Sequence, residues 1–160
     1  MKNIWIKPGD AARILRAGGV VAIPTETVYG LAGVAFNETA LAKIFEAKKR
    51  PTFDPLILHI ASLEDVEKIA AVFPEKAQKL AEKYWPGPLT LVLPKKECVP
   101  DLATSSLPSV AIRFPVHPIA QEIIRLTGAP LAAPSANLFK HIVNFEATAV
   151  NENDFNSNKR

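Results

Sequence analysis

The stretch VVAIPTETVYG, residues 20–30, decides the fold prediction. Its apolar part, Val20 to Ile23, predicts a buried strand that stops at Pro24, because proline cannot continue a central ladder. The loop that follows carries two hydroxyls, a carboxylate and a phenol within five residues, and then Gly30. A solvated turn covered by the tyrosine is one interpretation. Loops at the carboxyl ends of strands bind ligands in open α/β sheets, so a binding site is the other.

Composition limits the class of protein. The chain has 160 residues, 48% of them hydrophobic, which favours a single domain with its own core. It contains no run of about 18 apolar residues, so we expect no membrane span. It lacks an apolar signal-peptide region, and its one cysteine, Cys98, excludes an internal disulfide and a multi-cysteine zinc site. We therefore expect a cytoplasmic protein. A net charge of +3 permits contact with phosphates.

Strand and helix patterns alternate unevenly, which predicts an α/β fold in one domain, with flanking helices and a mixed sheet more than a strict doubly wound one. Strands are predicted over 20–23, 31–36, 56–60, 89–93, 109–114 and 130–133. Helices are predicted over 11–17, 37–49, 66–70, 74–84 and 118–127. Asn37 is the predicted N-cap of the second helix, and Ser62 and Asp65 form a predicted capping box before the third. The segment 94–108 reads as a long polar loop.

Side chains suited to anion binding fall at the predicted strand ends. Guanidinium and ammonium groups beside hydroxyl donors suit a polyphosphate or a carboxylate, so a nucleotide or an amino acid is the expected ligand. The P-loop, GxGxxG, HExxH and GxSxG motifs are all absent. The candidate residues are Thr25, Thr27, Lys48, Arg50, His59, Arg113, Ser135 and Asn137.

Three of these candidates can be weighed individually. Lys48 could belong to a solvated helix end, and His59 could be a hydrogen-bonded strand histidine. Arg113 stands between apolar neighbours on a predicted strand, where a charge needs a partner. Arg113 is therefore the residue that packing explains least well.

Five motifs occur in order: PTETVYGL, IFEAKKRPTFDPLILHI, YWPGPLTLVL, SVAIRFPVHP and PLAAPSAN. Together they strongly resemble the YrdC-like threonylcarbamoyl-AMP synthases, over roughly residues 11–138. The resemblance implies a twisted mixed α/β sheet with a positively charged concave face. It also implies condensation of L-threonine, bicarbonate and ATP to threonylcarbamoyl-adenylate and pyrophosphate, with Mg²⁺ carried by the ATP. The product serves a partner enzyme that modifies tRNA, and some family members bind tRNA or double-stranded RNA.

The resemblance also implies roles for single residues. Threonine-site positions match Thr27, His59 and Arg113. The family's ATP-site positions are occupied here by Lys48, Arg50, Asp54, Ser109, Ser135 and Asn137. The chemistry needs positioning and charge neutralisation, so no covalent nucleophile and no protein-bound metal is expected, and no residue is assigned as catalytic.

Some positions depart from the family pattern. Asp54 stands where the family commonly has asparagine, which places an anion beside phosphates. Val143 occupies the position of a serine that contacts ATP, and the later strands of the family are absent. We therefore expect a YrdC-like domain over 1–138 that is incomplete at its C-terminus, a poorly ordered tail over 139–160, and weak or lost catalysis in a truncated or frame-disrupted member.

Two other functions stay open at this point. One is a tRNA- or double-stranded-RNA-binding or assembly module that keeps a basic face without turnover. Its face would consist of Lys48, Lys49, Arg50, Lys95 and Lys96. The other is an enzyme of the same fold with a different acceptor, such as a carbamoyl-adenylate transfer domain of a maturation protein.

Overall fold

The structure, a computed structural model, describes residues 6–26, 29–49, 51 and 54–135. Its strands are β1 (Val21–Ile23), β2 (Gly30–Val34), β3 (Ile57–His59), β4 (Thr90–Pro94), β5 (Ser109–Arg113) and β6 (Leu131–Ala132). Its helices are α1 (Pro8–Arg16), α2 (Glu38–Lys48), α3 (Glu64–Ile69), α4 (Glu75–Tyr84), α5 (Asp101–Thr104) and α6 (Pro118–Thr127).

The six strands form one sheet in the order β1-β2-β6-β3-β5-β4. Strands β3 and β5 are parallel, and the other neighbours are antiparallel. The predicted mixed α/β sheet is therefore confirmed. Among the described residues, no helix has the length and apolar character needed to cross a bilayer.

Each face of the sheet has its own apolar cluster, because successive strand residues point to opposite faces. The first face packs against α2, α3 and α5 and includes Leu41, Leu58 and Ile112, all fully buried. The second face packs against α1 and α6 through residues such as Leu15 and Ile123. These two helices contact each other and cover β1, β2 and β6, which leaves the β3-β5-β4 half of the second face uncovered by any described helix.

Helix ends follow local sequence signals where those signals are strong. The Asn37 side chain accepts a hydrogen bond from the Ala40 amide, which caps α2 as predicted. Helix α6 begins at Pro118 and ends before Gly128, whose φ of 76° is in the left-handed region that favours glycine. Both predicted bounds of α6 are confirmed.

Three local predictions are wrong. The Ser62–Asp65 capping box does not form, because Leu63 is the N-cap of α3 and Asp65 Oδ2 instead accepts from the Ala61 amide. The segment 94–108 contains the short helix α5, which has too few residues to show a helical period. Lys48 is not part of a solvated helix end, since its side chain is buried.

Candidate active site

The uncovered half of the second sheet face carries the candidate site. Along β5, residues at every second position point to this face, so Ser109, Ala111 and Arg113 share it. All three are half-buried, whereas Val110 and Ile112 between them are buried in the core of the first face. The alternation that builds the core therefore also presents these side chains together.

His59 and Arg113 lie side by side at the carboxyl ends of β3 and β5. They are register partners in the parallel pair, so their side chains project from the same face of neighbouring strands. Two residues that the sequence places 54 positions apart are thus brought together. His59 and Arg113, two of the predicted threonine-site residues, are thus adjacent on the sheet.

His59 is buried and neutral at physiological pH. Burial lowers the pKa of its imidazole from 6.5 to about 4; the Ile57 carbonyl acts in the opposite direction, and the positive charge of Arg113 lowers the pKa further. Nδ1 lies 3.1 Å from the Ile57 carbonyl oxygen. In the neutral ring Nδ1–H donates to that carbonyl, which leaves the Nε2 lone pair as a hydrogen-bond acceptor.

Arg113 is only partly satisfied by protein groups. Its Nη2 donates to the Pro88 carbonyl at 2.8 Å. Its Nε is buried and has no hydrogen-bond partner in the described part of the chain. A buried donor without a partner costs roughly 1–3 kcal/mol, and such groups are often explained by function. Arg113 is therefore well placed to receive an anionic ligand.

Ser109 and Ser135 lie at the other end of the strands. Ser135 forms a bridge with Gly30, and the Ala133 amide donates to the Ile57 carbonyl. Continuing the β3–β6 and β3–β5 registers puts Ser135 and Ser109 at the same level on either side of β3, about 10 Å apart at roughly 4.8 Å per strand. These two predicted ATP-site residues thus share one end of the sheet.

Lys48 reaches the same end of the sheet from the last residue of α2. Its Nζ donates to the Ser135 carbonyl, and only 1% of the residue is exposed. A buried ammonium group therefore lies beside Ser135. Asp54 is half-exposed and enters β3 from a turn in which its amide donates to the Pro51 carbonyl at 3.1 Å.

Three predicted site residues, Thr27, Arg50 and Asn137, lie outside the described residues. The roles predicted for all nine site residues stay predictions.

Glu26 is a residue that the sequence interpretation noted in the loop but did not assign to the site. Its Oε2 accepts a hydrogen bond from the Val116 amide at 3.2 Å, which joins the loop after β1 to the loop after β5. Its Oε1 is buried and has no partner among the described residues. The signal in the sequence was a carboxylate at a strand end, but its link to a residue 90 positions away has no sequence pattern.

The structure describes four lysines of the basic face considered for RNA binding, and two of them, Lys49 and Lys96, are exposed. Lys48 is buried. Lys95 pairs with Asp101 at 2.8 Å and donates to the Val99 carbonyl, while Lys96 donates to the Glu67 carbonyl. Lys48, Lys95 and Lys96 thus each donate to an acceptor of the protein itself, and the RNA-binding face as a whole stays a prediction.

Comparisons with known proteins agree with the geometry described above. The family model Sua5_yciO_yrdC, described as "Telomere recombination", matches residues 13–158. A threonylcarbamoyl-AMP synthase of Pyrococcus abyssi (strain GE5 / Orsay) is 56% identical over 128 residues, which are 80% of this chain and 38% of that protein. A threonylcarbamoyl-AMP synthase of Bacillus subtilis (strain 168) is 52% identical over 130 residues, which are 81% of this chain and 38% of that protein.

A solved structure agrees with these matches. P. abyssi Sua5 complexed with L-threonine superposes with a TM-score of 0.81 at 54% identity, over 82% of this chain and 38% of that one. This chain thus spans 38% of the length of both relatives named above. The family match over most of the chain and the agreement in fold confirm the resemblance seen in the five motifs: the chain belongs to the Sua5/YciO/YrdC family.

Proposed function

We propose that this chain carries the threonylcarbamoyl-AMP synthase site of its family. The substrates are L-threonine, bicarbonate and magnesium-bound ATP, and the products are threonylcarbamoyl-AMP and pyrophosphate. The observation that carries the proposal is the adjacent pair of a neutral, buried His59 and an incompletely satisfied Arg113 on the part of the sheet face that no described helix covers. The names of the relatives and the threonine complex of P. abyssi Sua5 support it.

The threonine end of the site follows from this pair. Arg113 provides a guanidinium for the amino-acid carboxylate, which it binds as a planar anion. His59 is neutral, so it adds no second positive charge, and its Nε2 accepts a hydrogen bond from the threonine hydroxyl or amine. An apolar side chain in place of the hydroxyl would leave that acceptor unpaired, which favours threonine over valine.

The ATP end lies at the opposite ends of the strands. The hydroxyls of Ser109 and Ser135 are donors for phosphate or ribose oxygens, and the ammonium of Lys48 places positive charge beside them. Asp54 is an anion three residues before β3, so it suits the magnesium ion better than the phosphates themselves.

The reaction then needs positioning more than acid–base chemistry. The threonine amine attacks carbon dioxide released from bicarbonate and loses a proton, which gives a carbamate. A carbamate oxygen attacks the α-phosphorus, the bond from this phosphorus to the bridging oxygen breaks, and pyrophosphate leaves with the electron pair. Fixed positive charges lower the barrier of such a transfer without a covalent intermediate.

Calorimetric titration of the 160-residue chain with magnesium–ATP, with and without threonine, tests the proposal. We expect threonine to bind, and ATP to bind more tightly in its presence. Arg113→Gln should weaken threonine binding by at least about tenfold, since a charge-assisted pair contributes about 1.5–3 kcal/mol. Arg125→Gln on the exposed surface of α6 is the matched control and should bind threonine normally.

Indifference of ATP binding to threonine would overturn the proposal. RNA affinity that falls with salt and ignores threonine would instead favour the binding module. The RNA partner, the tRNA-modifying partner enzyme and the cytoplasmic location stay predictions.

A further inference from the structure

Three rows of side chains cross the uncovered half of the second sheet face. The strand registers define them, because partners in neighbouring strands project from the same face. One row is His59, Arg113 and Thr90; the central row is Ile57, Ala111 and Val92; the third row contains Ser109 and Pro94. An apolar row thus separates the predicted threonine end from the predicted ATP end.

The central row faces outward although it is apolar. Val92 is 65% exposed, and Ile57 and Ala111 are half-buried. Their neighbours on the first face, such as Leu91 and Ile112, are buried. One exposed valine needs no explanation, but a contiguous apolar row between the His59–Arg113–Thr90 row and Ser109 is a typical lining of a ligand site.

The position of Ala111 is the informative one. It lies two residues from Arg113 and two from Ser109, about 6.6 Å from each at roughly 3.3 Å per residue. With a carboxylate on Arg113 and a nucleotide on Ser109, the amine of the amino acid and the α-phosphorus meet between them. The alanine side chain is short, so it takes up little of the volume above the sheet at that point.

We propose that the central row is the floor on which the carbamate meets the α-phosphate, and that the small side chain of Ala111 sets the room available for the new bond. This inference deepens the proposed function and rests on it. An apolar floor lowers the local dielectric, which strengthens the attraction between the phosphates and the surrounding cations. It also excludes water that would hydrolyse a mixed carbamic–phosphoric anhydride.

Ala111→Leu and Ala111→Val test the inference by filling this space. Both residues are tolerated on a half-exposed strand face, and valine is favoured in strands, so the fold should be retained. Val72→Ile is the control, because it adds one methyl group to an exposed valine that lies outside the sheet. Three titrations are needed for each protein: threonine alone, magnesium–ATP alone, and magnesium–ATP on threonine-saturated protein.

We expect each substrate alone to bind both Ala111 variants with an affinity within about threefold of that of the unmodified chain. On threonine-saturated protein, the affinity for ATP should fall by about tenfold or more in Ala111→Leu and by an intermediate factor in Ala111→Val. Val72→Ile should match the unmodified chain. Unchanged joint binding in Ala111→Leu would overturn the inference and leave the proposed function intact. Loss of threonine binding alone would also overturn it, since the floor would then lie under one substrate. Failure of the unmodified chain to bind threonine and ATP would overturn both.

Discussion

At the scale of single residues, burial and the neighbouring Arg113 together keep His59 neutral. The imidazole is buried beside a guanidinium, so its protonated form is disfavoured by desolvation first and by the neighbouring charge in addition. The sequence showed both residues but not their adjacency, which arises from the register of two strands far apart in the chain. A histidine that looked like an ordinary strand residue is thereby an obligatory neutral acceptor.

This pairing predicts a pH dependence of folding. The pKa of His59 is about 4 in the folded state and near 6.5 in the unfolded state, so only the unfolded state takes up a proton between these values. The contribution of neutral His59 to the free energy of unfolding is therefore present above pH 6.5 and is lost as the pH falls toward 4. Between pH 7 and pH 5 the loss is about 2 kcal/mol. Urea unfolding at the two pH values measures it.

His59→Asn provides the comparison for this pH effect, because asparagine does not titrate. The free energy of unfolding of the variant should change less than that of the unmodified chain over the same pH interval. Equal pH dependence in the unmodified chain and His59→Asn would refute the neutral buried imidazole.

At the scale of elements, Glu26 links two loops of the candidate site, one after β1 and one after β5. Its substitution by alanine removes the hydrogen bond to Val116 and also removes a buried oxygen without a partner. Loss of the hydrogen bond costs about 1 kcal/mol, whereas removal of the unpaired oxygen gains about 1–3 kcal/mol. The free energy of unfolding should therefore stay equal or rise slightly.

The same substitution should weaken threonine binding by roughly fivefold, because the loop that contains the predicted Thr27 loses its link to the segment after Arg113. Calorimetry measures the affinity, and urea unfolding measures the stability. Glu26→Gln keeps an acceptor for the Val116 amide and serves as the control. A stability loss of several kcal/mol without any change in threonine affinity would show that the contact is only structural.

The cap of α2 gives a second prediction at this scale. Asn37→Ala removes the side-chain acceptor of the Ala40 amide and should lower the free energy of unfolding by about 1 kcal/mol. Asn37→Ser, which keeps an acceptor, should cost much less. Equal stability of the two variants in urea would show that the cap contributes nothing.

Sequence signals located most of these elements, and their failures have physical causes. Helix α6 has both a proline at its start and a glycine at its end, so its bounds were predictable. The cap of α3 was not, because Asp65 had a competing partner in the Ala61 amide. The burial of Lys48 was not predictable either, since its contact with the Ser135 carbonyl exists only after the chain has folded.

At the scale of the whole molecule, one sheet holds two apolar clusters, one on each face. Leu41→Ala in the first and Ile123→Ala in the second should each lower the free energy of unfolding by about 2–5 kcal/mol. Because both clusters use strands of the same sheet, tryptophan fluorescence and far-UV circular dichroism should report the same transition in each variant.

Leu126→Ala, at an exposed position of the same helix as Ile123, should change stability by only about 0.5 kcal/mol. Two separate transitions would contradict a single cooperative unit.

The buried ammonium of Lys48 has a consequence for chemical labelling. An acylating reagent modifies neutral amines that it can reach, and the amine of Lys48 is enclosed while the side chains of Lys68 and Lys79 are 57% and 71% exposed. In a time course followed by peptide mass spectrometry, Lys68 and Lys79 would acquire the label early, and Lys48 would acquire it only at the rate at which the chain opens. That residue is thus a built-in reporter of the opening of this end of the sheet.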